Sequence, residues 1–154
     1  MKKRENKLLI LRQMDKKLQN LSTYLAAMPS SGWIKMLRTM LGMSLKQLGS
    51  RMSITPQSLR EIEMREAEGT ITLRTLKEAA DALNMVLVYG FVSKDGSIEK
   101  MVERRAQELA TQIVTRTSTT MKLEDQENSK ERINQAIQEL TEELKREMPK
   151  SLWD

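Results

Sequence analysis

The sequence predicts a mainly α-helical protein with one short β-strand, arranged as a small central domain between helical extensions. Three observations predict it. Apolar residues recur at intervals of three and four over most of the chain, the spacing that lines one face of a helix. Ser44, Thr55 and Thr72 each stand where a helix would begin, and Gly42 and Asn84 where one would end. Only Val86-Leu-Val-Tyr-Gly-Phe-Val92 has the β-branched and aromatic composition of a strand.

Composition narrows the function classes. Hydrophobic residues are 39% and charged residues 31% of 154, the balance of a soluble helical chain. Aromatic residues are only 3% while Met reaches 12, so Leu, Ile, Val and Met must build the core. Cys and His are absent, which excludes disulfides, thiol nucleophiles, imidazole catalysis and the usual zinc sites. With no glycine-rich phosphate loop and no nucleophile elbow, we expect no enzyme, no cofactor and no metal. No apolar run approaches the roughly 20 residues of a membrane span, and Leu8–Leu11 is too short for a secretory signal, so a cytoplasmic location is expected. The net charge of +5 is unevenly spread: +5 over residues 1–30, +2 over 31–92 and −2 over 93–154. A basic front suits phosphates and a mildly acidic back suits another protein, although solvated helix faces would give the same pattern.

The first segment, 1–30, reads as an amphipathic helix over Arg4–Met28. Its narrow stripe of Leu11, Met14, Leu18, Leu21, Leu25 and Met28 suits packing against one other helix. Pro29-Ser-Ser-Gly32 ends it. The second segment, 31–92, holds short helices closely joined. Trp33, Ile34, Leu37 and Leu41 line the first. Ser44, with Gln47 at the capping-box position, starts the second, whose apolar residues are Leu45, Leu48 and Met52 around Gly49. Thr55 caps the third, with Pro56 at its first position and Leu59 and Ile62 facing inward. Glu66–Ile71 reads as a loop, and Thr72 caps a fourth helix with Leu73, Leu76, Ala79, Ala80 and Leu83 buried. The strand at 86–92 follows. One strand cannot satisfy its own backbone groups, so its partner is expected from a second copy, which points to a homodimer; a buried apolar connector is the alternative. The third segment, 93–154, reads as helices over about 98–115 and 130–147 joined by a polar hinge. Pro149 ends the last helix, leaving Lys-Ser-Leu-Trp-Asp as a tail.

Two capped helices joined by a tight turn are common. The longer pattern is more specific: Arg38, Gly42, Ser44, Leu48, Gly49, Thr55, Gln57, Ser58, Leu59, Ile62 and Glu63, then Leu76, Ala80 and Leu83. Over about 50 residues it resembles the helix-turn-helix of the phage-repressor (xenobiotic-response-element, XRE) superfamily. The resemblance implies a phage-repressor-like domain that binds operator DNA, with Arg38 and Glu63 as a structural ion pair. The base-reading set expected on the helix after Thr55 is Gln57, Ser58, Arg60 and Glu61. Gln57 can pair with adenine, Arg60 with guanine or a phosphate, and Glu61 with cytosine N4. Ser44, Lys46, Thr55, Thr72 and Arg74 are expected to hold phosphates. Two features depart from that pattern: Pro56 cannot hydrogen-bond a base, and Met64-Arg-Glu-Ala-Glu-Gly69 makes a long acidic exit.

A second resemblance covers nearly the whole chain. Arg12-Gln-Met-Asp15, Gly32-Trp33-Ile34, Leu41-Gly-Met-Ser44, Glu66-Ala-Glu-Gly-Thr-Ile-Thr-Leu73 and Leu87-Val-Tyr89 are similar to the mobile mystery protein A family. That family is a helix-turn-helix group of mobile elements found beside a Fic-domain protein. The resemblance implies an autorepressing antitoxin with a Fic-domain toxin as partner. Thr120-Met-Lys-Leu-Glu124-Asp125 resembles the Ser/Thr-x-x-x-Glu-Gly/Asn motif of small Fic antitoxins, with Asp in the last place. Glu124 is the partner contact that this motif implies; contact through the C-terminal helices, with Trp153 in the tail as an anchor, is favoured over the motif, and a disordered chain end is the other reading of that tail. The competing reading is an interaction module that neutralises a partner without binding DNA.

Overall fold

The computed structural model describes residues 2–24, 28–119 and 126–154. Among these, seven α-helices follow one another: α1 (Lys2–Ser22), α2 (Trp33–Met40), α3 (Leu45–Arg51), α4 (Pro56–Glu68), α5 (Leu73–Ala82), α6 (Ile98–Thr119) and α7 (Gln126–Glu147). A 3-10 turn over Lys150–Trp153 completes the chain. The elements divide between two compact units, Thr23–Gly90 and Met1–Ser22 with Phe91–Asp154. The helical extensions, distinct in sequence, thus belong to one unit, and the central domain is inserted between them along the chain.

In the unit formed by the two extensions, α6 and α7 pack as a hairpin and α1 lies against both. Ala106 and Ala110 on α6 are fully buried, and their small side chains let the neighbouring helix come close. Leu11, Val102, Leu144 and Leu152 complete the core with Ile98, Leu109, Ile137, Leu140 and Met148 against it. The Asp15 carboxylate of α1 accepts from the amides of Ile98 and Glu99 at 2.7 and 3.1 Å, capping the start of α6 from another helix. Arg12 pairs with Glu99 at 3.1 Å beside this cap.

Three expectations for this unit are corrected. Helix α1 stops at Ser22 instead of reaching Met28, and the Ser22 hydroxyl bonds back to the Gln19 carbonyl. Met14, expected within the buried stripe, is exposed. The hinge expected from Thr115 is helical as far as Thr119, and α7 begins by Gln126. The tail after Pro149 is also ordered. Leu152 is fully buried, and Arg105 donates to the carbonyls of Leu152, at 2.8 Å, and of Asp154. Leu152 and Trp153 are adjacent and carry no periodic signal, which is why the sequence shows only a tail after Pro149.

In the central unit, Leu48 of α3 and Leu59 of α4 are fully buried, with Ile34, Ala79 and Leu83 around them. The turn between α3 and α4 is held by the Ile54 amide donating to the Gly49 carbonyl at 2.9 Å. Ser53 occupies the left-handed region at φ 57°. Gly49 is required here, since a Cβ would sit 3.0 Å from the Ile54 carbonyl oxygen.

The strand expected at 86–92 is not found: among the described residues there is no strand at all. The segment is β-prone in composition, but a ladder needs a second row of backbone groups, and none pairs with it among the described residues. The loop expected from Glu66 is likewise corrected, because α4 runs on to Glu68 and stops at left-handed Gly69. Arg65-Glu-Ala-Glu68 are good helix formers, and Glu66 has a structural task that needs helical register.

Candidate nucleic-acid interface

The interface is built on α4. Thr55 caps it, accepting from the Ser58 amide at 3.1 Å, and Pro56 occupies the first turn, where the missing N–H removes nothing. Leu59, Ile62, Glu63 and Glu66 follow at helical spacing and form the inward face. Glu63 and Glu66 both reach α2. Arg38 donates to the two Glu63 oxygens from Nε at 2.6 Å and Nη2 at 3.1 Å, and to the Met43 carbonyl from Nη1 at 3.0 Å. The side chains of the pair are only 11% and 5% exposed. The hydrogen bond to Glu63 raises the pKa of Arg38, against the opposing effect of burial. Every guanidinium nitrogen thus has an acceptor in a fixed fork.

One turn further on, Glu66 accepts from the Trp33 amide at 2.8 Å and the Ile34 amide at 2.9 Å. This carboxylate caps α2, whose own N-cap, Gly32, offers no side chain. Gly32 has φ 83°, and a Cβ there would lie 2.8 Å from the Glu66 carboxyl carbon. Two bidentate carboxylates one turn apart therefore lock α4 onto α2 and fix which face of α4 looks outward.

That outward face carries Pro56, Gln57, Arg60, Glu61 and Met64, all exposed. Arg60 makes no ion pair among the described residues, whereas Glu61 lies 4.0 Å from Arg65 one turn on. Ser58, expected among the base-reading residues, is half-buried and its hydroxyl lies 2.9 Å from that of Thr55. Arg60 and Met64 border a groove of about 450 Å³ between α2 and α4, with Lys35 on its α2 side. Lys35 was not singled out from sequence, and its place on α2 has no local signature.

The residues expected to hold phosphates are distributed over several helix starts. Ser44 caps α3 in a reciprocal capping box with Gln47, at 3.1 and 2.8 Å. Lys46 is exposed on the first turn of α3 and lines a separate groove of about 400 Å³ with Met43, Gln47, Ser50 and Arg51. Thr72 caps α5, accepting from the Thr75 amide at 3.2 Å. Arg74, almost wholly exposed, lies 3.7 Å from Glu78. Arg51 is engaged with the Ala82 carbonyl at 3.1 Å and so ties α3 to the end of α5. Trp153 is 54% exposed in the other unit, on the turn anchored by Leu152. Glu124 lies outside the described residues.

Among the described residues, no group of three or more acidic side chains gathers as a metal site, and no helix is long and apolar enough to cross a membrane. No curated protein and no solved structure matches the chain. Residues 34–87, about a third of the chain, match the model of the helix-turn-helix family HTH_3. The match spans α2 to α5 and includes the Arg38–Glu63 pair, the Gly49 turn and the whole of α4. Residues 34–87 are thus a helix-turn-helix domain of the XRE type, a kind of domain that suggests a DNA-binding regulator.

Proposed function

We propose that the protein is a sequence-specific transcriptional regulator that inserts α4 into the major groove of operator DNA. The observation that carries this reading is the outward row of Gln57, Arg60, Glu61 and Met64 on a helix held to α2 by two bidentate carboxylates. Rigid mounting matters because base readout needs side chains delivered in a fixed register. Arg60, which has no ion pair among the described residues, is the residue to pair with guanine; Gln57 suits adenine and Glu61 cytosine N4. Ser58 would follow only if its hydroxyl left Thr55. Ser44, Lys46, Thr55, Thr72 and Arg74 sit at helix starts whose amides and charges suit phosphates, and Lys35 joins them.

The regulator acts in the cytoplasm as a homodimer on a two-fold operator, with half-sites about one helical turn apart. It is an autorepressing antitoxin that binds a Fic-domain toxin, a reading supported by the whole-chain likeness to the mobile mystery protein A family. Trp153, exposed on an anchored turn, is a suitable partner contact, and Glu124 is a second. Footprinting on the DNA upstream of its own gene tests the regulator, with protection of paired half-sites expected. An unprotected promoter at low salt overturns it.

The second reading is an interaction module that neutralises a partner without DNA. Pro56 and Glu61 on the outward face favour it, since one offers no hydrogen bond and the other repels phosphate. Copurification with a Fic-domain protein, combined with no DNA retention at low salt, would select this reading.

A further inference from the structure

Glu61 stands in the middle of the outward face of α4, where the charge of a duplex opposes it. DNA carries one negative charge per about 1.7 Å of its axis, so a lone carboxylate is repelled from the groove. Glu61 is not alone. One turn further on, Arg65 brings its Nη2 to 4.0 Å from the Glu61 Oε2, with both side chains more than half exposed. The carboxylate precedes the guanidinium at i and i+4, the favourable order along a helix. In water an exposed pair of this kind adds little to stability, so its use lies elsewhere.

The backbone beneath the pair is held on both sides. Glu63 and Glu66 fix the opposite face of α4 to α2. The Arg65 carbonyl accepts from the amides of Thr70, at 2.8 Å, and Ile71, at 3.2 Å, where the helix stops at Gly69. Arg60 is placed differently. It lies about 100° round the helix from Glu61 and makes no ion pair among the described residues. The two arginines of the outward side are therefore not equivalent: one stands alone and the other is committed to Glu61.

We infer that Glu61 and Arg65 together read one C·G base pair, which makes Arg65 a specificity-determining residue of α4. In the major groove a C·G pair presents the cytosine N4 donor beside the guanine O6 and N7 acceptors. A carboxylate beside a guanidinium presents the converse. Glu61 accepts from N4, Arg65 donates to O6 and N7, and the two remain neighbours, so neither charge enters the groove unanswered. The reversed pair, G·C, sets the carboxylate against O6 and N7 and the guanidinium against the N4 amino group. Acceptor then meets acceptor and donor meets donor, which rejects that orientation outright. An A·T pair offers a donor beside O4, but the thymine methyl replaces the second acceptor of guanine. The inference rests on the reading of α4 as the groove helix, and adds to it the residue and base pair that make Glu61 compatible with DNA.

Selection of bound duplexes from a random library by full-length protein tests it, with Arg65→Met, Glu61→Gln and the double variant beside the parent. Both side chains are exposed, so circular dichroism should be unchanged in all of them. The parent motif is expected to contain a C·G pair of fixed orientation. Arg65→Met and Glu61→Gln should each weaken that preference by about tenfold or more, at the same position, and both should keep the guanine selected by Arg60. The double variant should lose no more there than either single one, the mark of two residues acting as a unit. An Arg65→Met protein that keeps the C·G preference overturns the inference, whether it binds as the parent does or binds all sequences more weakly, as loss of a phosphate contact would. So do single variants that act at different positions. Failure of the groove reading looks different: the parent then enriches no motif at low salt, whereas failure of this inference alone leaves a motif that Arg60→Ala still changes.

Discussion

Removing Arg38 tests the mounting of α4. Arg38→Met leaves the Glu63 carboxylate, 5% exposed, without its two donors and also frees the Met43 carbonyl. Breaking a buried pair from one side costs about 3–5 kcal/mol, because the remaining charge stays out of water. That is a large part of the roughly 5–15 kcal/mol that holds a typical domain together. With a urea slope of about 1–1.5 kcal/mol/M for a unit this small, the midpoint falls by about 2–5 M. The chain has two tryptophans, Trp33 in the central unit and Trp153 in the other. In a Trp153→Phe background, Trp33 fluorescence alone reports the central unit. The double variant Arg38→Met with Glu63→Leu removes both charges and is expected to recover most of the loss. A single-variant loss under about 1 kcal/mol, the range of an exposed pair, would refute the argument. So would a double variant no more stable than the single.

Three further outcomes follow from the packing. Leu152→Ala should cost about 2–5 kcal/mol in the unit formed by the two extensions, read by Trp153 fluorescence in a Trp33→Phe background; no loss would mean a loose tail. Gly49→Ala places a Cβ 3.0 Å from the Ile54 carbonyl oxygen and should lower the stability of the central unit by about 1–3 kcal/mol, seen in the same urea titration. Hydrogen bonds from Arg104 hold the carboxyl groups of Asp95 and Glu108 below their ordinary pKa, with Arg105 adding to the effect on Glu108. A lowered native pKa gives stability that is complete above the ordinary carboxylate range and is lost as pH falls through the lower native value. Acid unfolding of this unit should therefore become shallower in Arg104→Met, measured by circular dichroism from pH 6 downward at roughly constant salt.

The residues that act locally were the legible ones. Ser44, Thr55 and Thr72 cap helices through bonds three residues away, so their spacing alone announces the starts of α3, α4 and α5. Gly49 was legible as a site of close approach, since a glycine on a short helix between Leu48 and Met52 has few other uses. Glu66 was not. An acidic cluster before Gly69 reads as a loop until it is known that α2 starts without a side-chain cap and needs a donated carboxylate. Asp15 was missed for the same reason, because the helix start it caps lies 83 residues away. The segment 86–92 shows the opposite limit: its composition is plainly β-prone, yet a strand is a relation between two segments, and only one is present in a single chain. On the candidate site, the outward set of Gln57, Arg60 and Glu61 followed from placing Leu59 and Ile62 inside. Lys35 and the hydroxyl bond between Ser58 and Thr55 depend on how α2 and α4 meet, which periodicity does not reveal.

The central claim is that α4 reads bases through its outward face, and the most direct measurement is selection of bound duplexes from a random library by the full-length protein and by Arg60→Ala. The parent is expected to enrich a motif containing a guanine that Arg60→Ala no longer selects, with a loss of about 1–3 kcal/mol on the parent motif and the other positions retained. No enriched motif at low salt, or the same motif at the same strength from both proteins, would contradict it.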